Sequence, residues 1–511
     1  MLGILDKLCQ HPAAKLLWPV LAVYMLTAKG HVEIIDTDYS LSTARAILED
    51  GSLLIEPPDP AVGAHASVLI DGKMYSKYGI GLVLIFLPIV AFAKGMSLLP
   101  GLQEAQVTGF LVSFYNLPFA VGALYFFYRI CRQLGAKKRA ACLTTLVMGV
   151  GTSFWKYTVT DFSEVTQLCL MLGAVFYVFR SENNDMVKAS VFFSGLFLLK
   201  LANIVIWGPL ALYLFLRHGF CMHGAKKVAV FASVVFFTGL FLLLYNYLRF
   251  GSPLSTGYGY AGPIFTMEYF KRDIIGFFTS PQRGIFHYNP ILLAALFIWP
   301  AFLRKFTKEG ICFILITLVW STMMASWASY QGGWAWGNRL LLPLIPIILL
   351  PLAFINLEKK WKAGVLFAVF LVSFCVQLVS VFQHTHEYFV ILSEMDADPE
   401  VAPHKRGMPP QFLGNAILLH QKLSGRSGEY SYQAFLGENT HKDLANKIIS
   451  THQYDSYQGL HAWPFHLATF LGQPILRWVL AGVLPCIALI CYNTFKLTWP
   501  SGYKRSANKS D

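Results

Sequence analysis

Apolar residues along this 511-residue chain are grouped into long stretches that alternate with polar loops. An α-helix needs about 20 apolar residues to cross the roughly 30 Å hydrocarbon core of a bilayer. By that measure the pattern predicts twelve membrane-spanning helices, at roughly 13–29, 106–130, 140–157, 162–180, 188–201, 202–217, 227–248, 288–303, 311–329, 340–357, 363–382 and 472–494. The fifth and sixth spans form one apolar run that is too long for an ordinary span, and we expect it to turn near Lys200 and Asn203.

The apolar stretch 79–99 is left out of these spans because of the charges that follow it. If it crossed the membrane, the basic run from Arg129 to Arg139 would lie outside, whereas Lys and Arg are enriched in cytoplasmic loops. We therefore expect 79–99 to form a helix in the outer interface, interrupted at Pro88. Twelve spans then leave both termini in the cytoplasm.

This topology places three large segments outside the membrane, at 30–105, 249–287 and 383–471. The expected fold is an all-α polytopic membrane protein with juxtamembrane helices in the first outer loop. We expect three parts along the chain. These are a transmembrane catalytic module over 1–382, a small outer lobe, α/β or irregular, over 383–471, and the last span with a basic cytoplasmic tail over 472–511.

Composition and charge support this picture. Hydrophobic residues make up 55% of the chain and charged residues 14%, and the mean hydropathy is +0.50. Soluble domains are about 45–50% apolar and about 25% charged, so the composition excludes a soluble enzyme. The net charge of +13 would suggest a nucleic-acid partner in a soluble protein. Here the basic residues fall mainly in loops assigned to the cytoplasm, so the charge indicates orientation and we expect no nucleic-acid partner.

The first outer loop carries the first candidate chemistry, in the stretch HVEIIDTDYSLSTARAILEDGSL. Apolar and small residues recur there at helical spacing, which predicts an amphipathic helix with Asp36 or Asp38 at its start. A carboxylate in that position can cap the helix. It can also act as a general base for a hydroxyl group at the membrane surface.

A second acidic pair, Asp161 and Glu164, lies three residues apart in TVTDFSEV and therefore on one helix face. These acids can cap the fourth span, or one of them can bind hydroxyl groups. Basic residues near the outer ends of predicted spans are Lys77, Lys200, Arg249, Arg272, Arg283 and Arg339. Lys200 is the most informative of these, because a lysine within LFLLKLANIV must snorkel to the interface or face a polar cavity.

His384 and His386 form a His-x-His pair in the third outer segment. Further ligands do not follow at a recognisable spacing, so the sequence does not predict a metal site there.

Several motifs together resemble the C-type (GT-C) superfamily of polytopic membrane glycosyltransferases, over roughly residues 10–360. They are the acidic helix that ends at Gly51, then DGKMYSKYGIGLVLIFLPIVAFAKG, GTSFWKYTVTDFSEV, YNYLRFGSPLSTGYG, TSPQRGIFHYNP and WASYQGGWAWGNRLLLPLIP. Bacterial aminoarabinose transferases of lipid A and protein O-mannosyltransferases are the better-known relatives. In those proteins the first outer loop also forms juxtamembrane helices rather than a span.

The resemblance implies an inverting transfer of a sugar from a polyprenyl-phosphate donor, such as an undecaprenyl one, to a hydroxyl group of a glycan, lipid or protein. The reaction would take place on the periplasmic face of a bacterial inner membrane and serve the cell envelope. Aminoarabinose transferases have Asp-Glu where this chain has Asp36-Thr37-Asp38. Asp36 is the first candidate for the catalytic base and Asp38 is the second.

The resemblance and the need to stabilise a leaving phosphate nominate a larger set of substrate- or phosphate-binding residues. They are Lys77, Asp161, Glu164, Lys200, Arg249, Arg283 and Arg339. A divalent metal, Mg²⁺ or Mn²⁺, held by Asp36 with Asp161 or Glu164, stays open, and no cofactor is certain.

Two other functions remain open. A transporter or flippase of lipid-linked sugars would place ionisable groups deep in several spans or show repeated halves. An O-antigen ligase or polymerase would rely on arginines in a late outer loop. The early acidic loop and the nearly uncharged spans favour the glycosyltransferase.

Overall fold

A computed structural model describes residues 12–56, 67–70, 72–182, 184–258, 265–328, 332–357, 359–394, 409–424, 460–465 and 474–498. These residues are mostly helical. The α-helices of the first half are α1 (Pro12–Thr27), α2 (Ile35–Asp50), α3 (Ile80–Met96), α4 (Glu104–Val112), α5 (Asn116–Gln133), α6 (Lys138–Val150), α7 (Phe154–Thr158), α8 (Glu164–Arg180), α9 (Asp185–Leu199), α10 (Trp207–His218) and α11 (Met222–Phe250).

The second half of the chain combines short helices with three long ones. They are α12 (Met267–Thr279), α13 (Ile285–Tyr288), α14 (Ile291–Leu296), α15 (Trp299–Lys305), α16 (Thr307–Ala325), α17 (Leu344–Leu349), α18 (Lys360–Phe382), α19 (Thr385–Glu394), α20 (Gln411–Leu423) and α21 (Pro474–Thr498). Three 3₁₀ helices lie at Leu201–Ile206, Arg339–Leu341 and Leu350–Phe354.

The first outer loop contains α2, a β-hairpin and α3. Strands β1 (Ser67–Ile70) and β2 (Lys73–Ser76) pair antiparallel, with Ser67 opposite Ser76. Helix α2 starts one residue before Asp36 and ends at Asp50. The residue that follows it, Gly51, has a left-handed φ of 61°, which glycine adopts without steric cost. Helix α3 runs unbroken through Pro88. The expected interruption at Pro88 is therefore wrong, and the helix accommodates the proline inside it.

Five helical segments among the described residues are long and apolar enough to cross a membrane. They are Glu104–Gln133, Leu201–His218, Met222–Phe250, Thr307–Ala325 and Lys360–Phe382. Only 22% of the most apolar window of α11 is buried inside the protein. Apolar side chains such as Phe236, Phe237 and Leu244 are exposed on it. Because so much apolar surface needs a lipid environment, the protein is an integral membrane protein.

The long apolar run 188–217 turns where the sequence predicts. Helix α9 ends at Leu199, and Lys200 adopts an extended conformation with φ −149° and ψ 124°. A 3₁₀ turn then leads into α10, and the amide of Asn203 donates to the carbonyl of Lys200. The backbone break thus places Lys200 at a helix end.

Two expected spans are not single helices. Stretch 288–303 divides into parts of α13, α14 and α15, and stretch 340–357 divides into two 3₁₀ helices and α17. Prolines stand at these breaks, with Pro290 before α14 and Pro300 in the first turn of α15. A proline lacks the amide hydrogen that continues a helix, which explains why apolar length alone predicted these elements poorly.

Close backbone packing joins the first outer loop to α9. A side chain at Gly79 would come within 2.6 Å of the carbonyl oxygen of Leu199, and one at Gly81 within 2.7 Å of the amide nitrogen of Leu199. Only glycine permits this approach. It brings the segment before α3 against the backbone next to Lys200.

The outer lobe expected over 383–471 lies largely outside the described residues. Its described parts are α19, α20 and the short segment 460–465. The basic tail after Thr498 also lies outside them, so the division into three parts stays a prediction.

Candidate active site

Four charged side chains from four distant segments form one cluster at the start of α2. Arg339 Nη1 lies 3.0 Å from Asp36 Oδ2 and 3.8 Å from Glu164 Oε1. Lys200 Nζ donates to the same Glu164 oxygen at 2.7 Å. Tyr78 completes the group, and its hydroxyl donates to Asp36 Oδ1 at 2.8 Å. The charged members were all nominated from the sequence, and the structure brings them together.

Asp36 is held at the entrance of this cluster, whereas Glu164 lies at its base. The side chain of Asp36 is 20% exposed and that of Glu164 is 1% exposed. Glu164 Oε2 and Arg339 Nε are buried and have no hydrogen-bond partner among the described residues. The cluster therefore retains one acceptor and one donor for a bound group.

The backbone of α2 is fixed by Asp161. Residue Ile34 precedes the helix and provides no side-chain cap. The carboxylate of Asp161 instead accepts from the amides of Glu33 and Ile34, at 3.2 and 3.1 Å. The hydroxyl of Thr37 donates to the carbonyl of Asp161 at 2.7 Å. Asp161 thus binds the first outer loop and does not cap its own helix α8, which has no side-chain cap.

Arg249 supports the backbone of the segment that carries Tyr78. Its guanidinium is buried and donates to the carbonyls of Ser76 and Tyr78, at 2.6 and 3.0 Å. It also donates to Asn246. Arg249 therefore holds the segment that carries Tyr78, and its contacts are with the protein backbone.

Lys77 adds positive charge to the cluster. It lies close enough to interact electrostatically with Asp36 and Arg339, and its ammonium group is 5.2 Å from the ring centre of Tyr258. The cations Lys77, Lys200 and Arg339 then face two carboxylates. This balance suits a bound anion such as a phosphate.

Ionisation of Asp36 is set by opposing effects. Burial raises the pKa of its carboxyl group, but the charge of Arg339, the hydrogen bond from Tyr78 and the charge of Lys200 outweigh burial and hold the pKa below its usual value of 3.8. Asp36 is therefore a carboxylate at neutral pH and can accept a proton.

Asp38 has a different environment from Asp36. Residues two apart point about 200° away from each other around a helix, so the two carboxylates lie on different faces of α2. Burial raises the pKa of Asp38 to about 6, against the opposing charge of Arg45. Burial also raises the pKa of Asp161 to about 8, and the charge of Glu33 adds to this effect.

Arg283 lies outside the cluster. Its guanidinium donates to the carbonyl of Gly333 at 2.7 Å and lies 5.2 Å from the ring centre of Phe389. The structure thus places Arg249 and Arg283 on backbone carbonyls rather than beside Asp36. Tyr78 and Tyr258 were not nominated from the sequence, although both stand in motifs that carried the GT-C resemblance.

An apolar groove of about 540 Å³ lies next to the cluster, between the 3₁₀ turn after Lys200 and helix α11. Leu201 lines it at one side, and Asn246 and Thr256 line it where α11 ends. Asn246 is the partner of Arg249, and Gly257 packs against the backbone of Lys77. Helix α3 contributes no residue to the lining of this groove among the described residues.

Each of the three acids named for a metal ion has a protein partner. Asp36 binds Arg339, Glu164 binds Lys200 and Asp161 binds two amides. Two groups of side chains that can hold a metal ion do occur among the described residues, and neither contains these three acids.

No family model and no curated protein matches the chain. Among solved structures, it is similar to ArnT from Cupriavidus metallidurans bound to undecaprenyl phosphate, with 13% identity, a TM-score of 0.47, and coverage of 95% of this chain and 75% of that one. It is also similar to the oligosaccharyltransferase of Archaeoglobus fulgidus in complex with Zn and sulfate, with 13% identity, a TM-score of 0.43, and coverage of 83% and 57%.

A further similar structure is the archaeal oligosaccharyltransferase AglB from Archaeoglobus fulgidus in complex with an inhibitory peptide and a dolichol-phosphate. Its identity is 12% and its TM-score is 0.29, and the chain spans a little over half of its length, at 56%. ArnT and AglB are both members of the GT-C superfamily, the group that the sequence motifs of this chain resemble.

Proposed function

We propose that this protein is a membrane glycosyltransferase that moves a sugar from a polyprenyl-phosphate donor to a hydroxyl group of a glycan, lipid or protein. The observation that carries the proposal is the position of the ionised Asp36 beside a cluster with excess positive charge, at the end of an apolar groove. A lipid-linked sugar phosphate has one feature for each part of this site. Its sugar carbon reacts with a hydroxyl group near Asp36, its phosphate is an anion for the cations, and its long apolar chain suits the groove.

In this proposal the acceptor hydroxyl attacks the anomeric carbon while Asp36 takes its proton. The bond between that carbon and the phosphate oxygen breaks, and the electron pair leaves with the phosphate. A single displacement in which the acceptor attacks from the face opposite the leaving phosphate inverts the anomeric configuration. A positioned general base contributes about 10²- to 10⁴-fold to such a step.

Lys200, Arg339 and Lys77 bind the phosphate in this scheme. Negative charge on the phosphate grows as the glycosidic bond breaks, so these cations stabilise the transition state more than the ground state. Arg339 also holds Asp36, and a phosphate would share its guanidinium with that carboxylate. Tyr78 orients Asp36 through its hydroxyl group.

The groove between the 3₁₀ turn and α11 would hold the first part of the polyprenyl chain. Its apolar lining includes Phe197 and Leu201, which lie on either side of Lys200 in the chain, so a lipid in the groove would present its phosphate to the cations. Each buried CH₂ group of such a chain contributes about 0.8 kcal/mol.

We place the protein in a bacterial inner membrane with twelve spans, both termini in the cytoplasm and the Asp36 cluster on the periplasmic side. This topology follows from the distribution of Lys and Arg among the loops. The transmembrane module would end near residue 382, before the outer segment 383–471 and the last helix.

The test uses purified full-length protein in lipid nanodiscs, with undecaprenyl-phosphate-linked sugars supplied one at a time and a membrane extract as the acceptor. Asp36→Asn keeps the size of the side chain and removes the base, and we expect transfer to fall at least about 100-fold. Donor binding, measured by calorimetry, should change little.

Two variants on the same helix complete the design. Asp38→Asn tests the alternative base, and Glu49→Gln is a matched control, since the carboxylate of Glu49 is exposed and pairs only with Lys94 among the described residues. Full transfer by Asp36→Asn would refute the assignment. Loss in Asp38→Asn alone would move the base to that residue, and sugar translocation without transfer would indicate a flippase.

A further inference from the structure

A second cluster of metal-binding side chain types lies just before α2. It contains His31 and Glu33 from the first outer loop, His384 and His386 from the segment after α18, and His461 from the described segment 460–465. Glu33 and His384 are nearly buried, at 4% and 8% side-chain exposure. These residues are far apart in the chain, and the fold alone brings them together.

The ligand atoms of this cluster form two groups that share His384. Those of Glu33, His384 and His386 lie within 4.8 Å of one another, as do those of His31, His384 and His461. Glu33 Oε1 and His384 Nδ1 are 3.8 Å apart. Two ligands about 2.0–2.1 Å from a tetrahedral zinc ion are about 3.4 Å apart, so closure around an ion needs only a small shift.

We propose that Glu33, His384 and His386 bind one Zn²⁺ ion, or a closely similar divalent transition metal, at a site separate from the Asp36 cluster. Two imidazoles and one carboxylate match the borderline donor set of zinc better than the all-oxygen set of Mg²⁺ or Ca²⁺. The site does not depend on the proposed sugar transfer.

Neighbouring groups support this ligand set. One ring nitrogen of His386, Nε2, lies 3.2 Å from the carbonyl oxygen of Trp334. A carbonyl can only accept, so Nε2 carries the proton and the other ring nitrogen keeps its lone pair, as is usual for histidines that bind metals.

Glu387, although it follows His386 in sequence, is engaged elsewhere. Its Oε2 accepts from Lys422 and from Gln383, each at 2.6 Å. Glu33 Oε2, by contrast, is buried and has no hydrogen-bond partner among the described residues. An unpaired buried carboxylate oxygen is costly, and a metal ion would satisfy it.

The competing explanation of this carboxylate is a charge interaction with Lys156. Burial raises the pKa of Glu33, but Lys156, His384, His386 and Lys29 lower it to below its usual range. If Glu33 served only to balance Lys156, the full-length protein would bind no zinc at this cluster.

The experiment measures zinc in the purified full-length protein in detergent, by mass spectrometry after dialysis, followed by calorimetric titration with ZnCl₂. Co²⁺ is then added to metal-depleted protein, since its visible absorption reports tetrahedral nitrogen and oxygen ligands. We expect one ion per chain and a rise in melting temperature on adding zinc. Glu33→Gln and His386→Gln should each weaken zinc binding at least about tenfold.

His420→Gln is the matched control, because His420 is an exposed histidine on α20. It should bind zinc as the unchanged protein does. Absence of zinc binding in the folded wild-type protein, or binding that Glu33→Gln leaves unchanged, would overturn the proposal. Loss of binding in His31→Gln and His461→Gln with retention in His386→Gln would assign the ion to His31, His384 and His461, and would equally refute the proposed ligand set.

Discussion

Asp36 and Glu33 are three residues apart in the first outer loop, but their carboxylates have different surroundings. The Asp36 cluster is Asp36 with Glu164, Lys200 and Arg339, and the Glu33 cluster is Glu33 with His384 and His386. Asp36 faces Arg339, with Lys200 and Lys77 nearby, whereas Glu33 faces imidazole rings. Permanent cations attract an anion such as a phosphate, while neutral imidazoles with a carboxylate attract a metal cation. Neighbouring acids in one loop thus acquire opposite ligand preferences from the segments that pack against them.

Asp161 lies between the two clusters and supports both. Its carboxylate binds the amides of Glu33 and Ile34, and its carbonyl accepts from Thr37. The short segment before α8 that carries Asp161 therefore sets the position of the backbone from which both acids project. Three substitutions test how far the clusters differ.

Lys200→Met should have the largest effect. It removes a cation from the proposed leaving phosphate, and loss of one such stabilising group costs about 10²- to 10³-fold in kcat. It also leaves the buried Glu164 with one cation fewer, and breaking a buried ion pair costs about 3–5 kcal/mol of unfolding free energy. Transfer kinetics and thermal unfolding measure the two effects.

Lys94→Met is the control for that substitution. The ammonium of Lys94 pairs with Glu49 at 2.9 Å on the exposed surface. Exposed pairs contribute little to stability, so neither kinetics nor stability should change much. Equal behaviour of the two variants would contradict the role given to Lys200. Zinc binding should be unaffected in both.

Arg339→Gln should change the pH dependence of transfer. The pKa of Asp36 is now below 3.8, so Asp36 is ionised throughout the range from pH 5 to pH 8. Without Arg339, less positive charge opposes the effect of burial, so the pKa of the Asp36 carboxyl group rises. Asp36 then takes up its proton at a higher pH than in the wild-type protein. The acidic limb of the pH–rate profile therefore moves to higher pH.

Arg339→Gln should also lower the stability of the folded protein at neutral pH. A carboxylate with a depressed pKa stabilises the fold above its unfolded pKa, and this contribution is lost as the pH falls through the folded pKa. Arg339→Gln removes that contribution at neutral pH. An acidic limb that stays at the wild-type position would show that Arg339 does not control the ionisation of Asp36.

Asp161→Asn should have the smallest effect on each cluster but affect both. The amide keeps one oxygen acceptor and loses the second, so the amides of Glu33 and Ile34 are held less firmly. We expect kcat to fall about tenfold, with the donor KM nearly unchanged, and zinc affinity to fall a few-fold. A change in only one of these readouts would show that the clusters are positioned independently.

Much of the helical framework could be predicted from local patterns. Apolar length located the helical regions, and the polar pair in 188–217 located the turn at Lys200. Prediction was weaker where prolines break an apolar stretch, as at Pro290, and in α3, which continues through Pro88. Apolarity reports burial in lipid or protein but does not report whether the backbone hydrogen bonds continue.

Candidate residues were easier to nominate than to place. Asp36, Glu164, Lys200 and Arg339 were nominated from the chemistry of their loops, and they meet in one cluster. Arg249 and Asp161 looked equivalent to them in sequence, yet both bind backbone groups. Composition does not separate a side chain that supports a loop from one that faces a ligand.

The order of apolar and charged residues was sufficient to predict a helical membrane protein with an acidic loop after its first helix, because hydrophobic length and charge act locally along the chain. It could not establish the partners of the carboxylates in that loop. His384 and His386 lacked further ligands at a recognisable spacing, and Glu33, His31 and His461 join them only through long-range packing. Contacts between residues hundreds of positions apart depend on how the helices pack, and that packing gives Asp36 its cations and Glu33 its imidazoles.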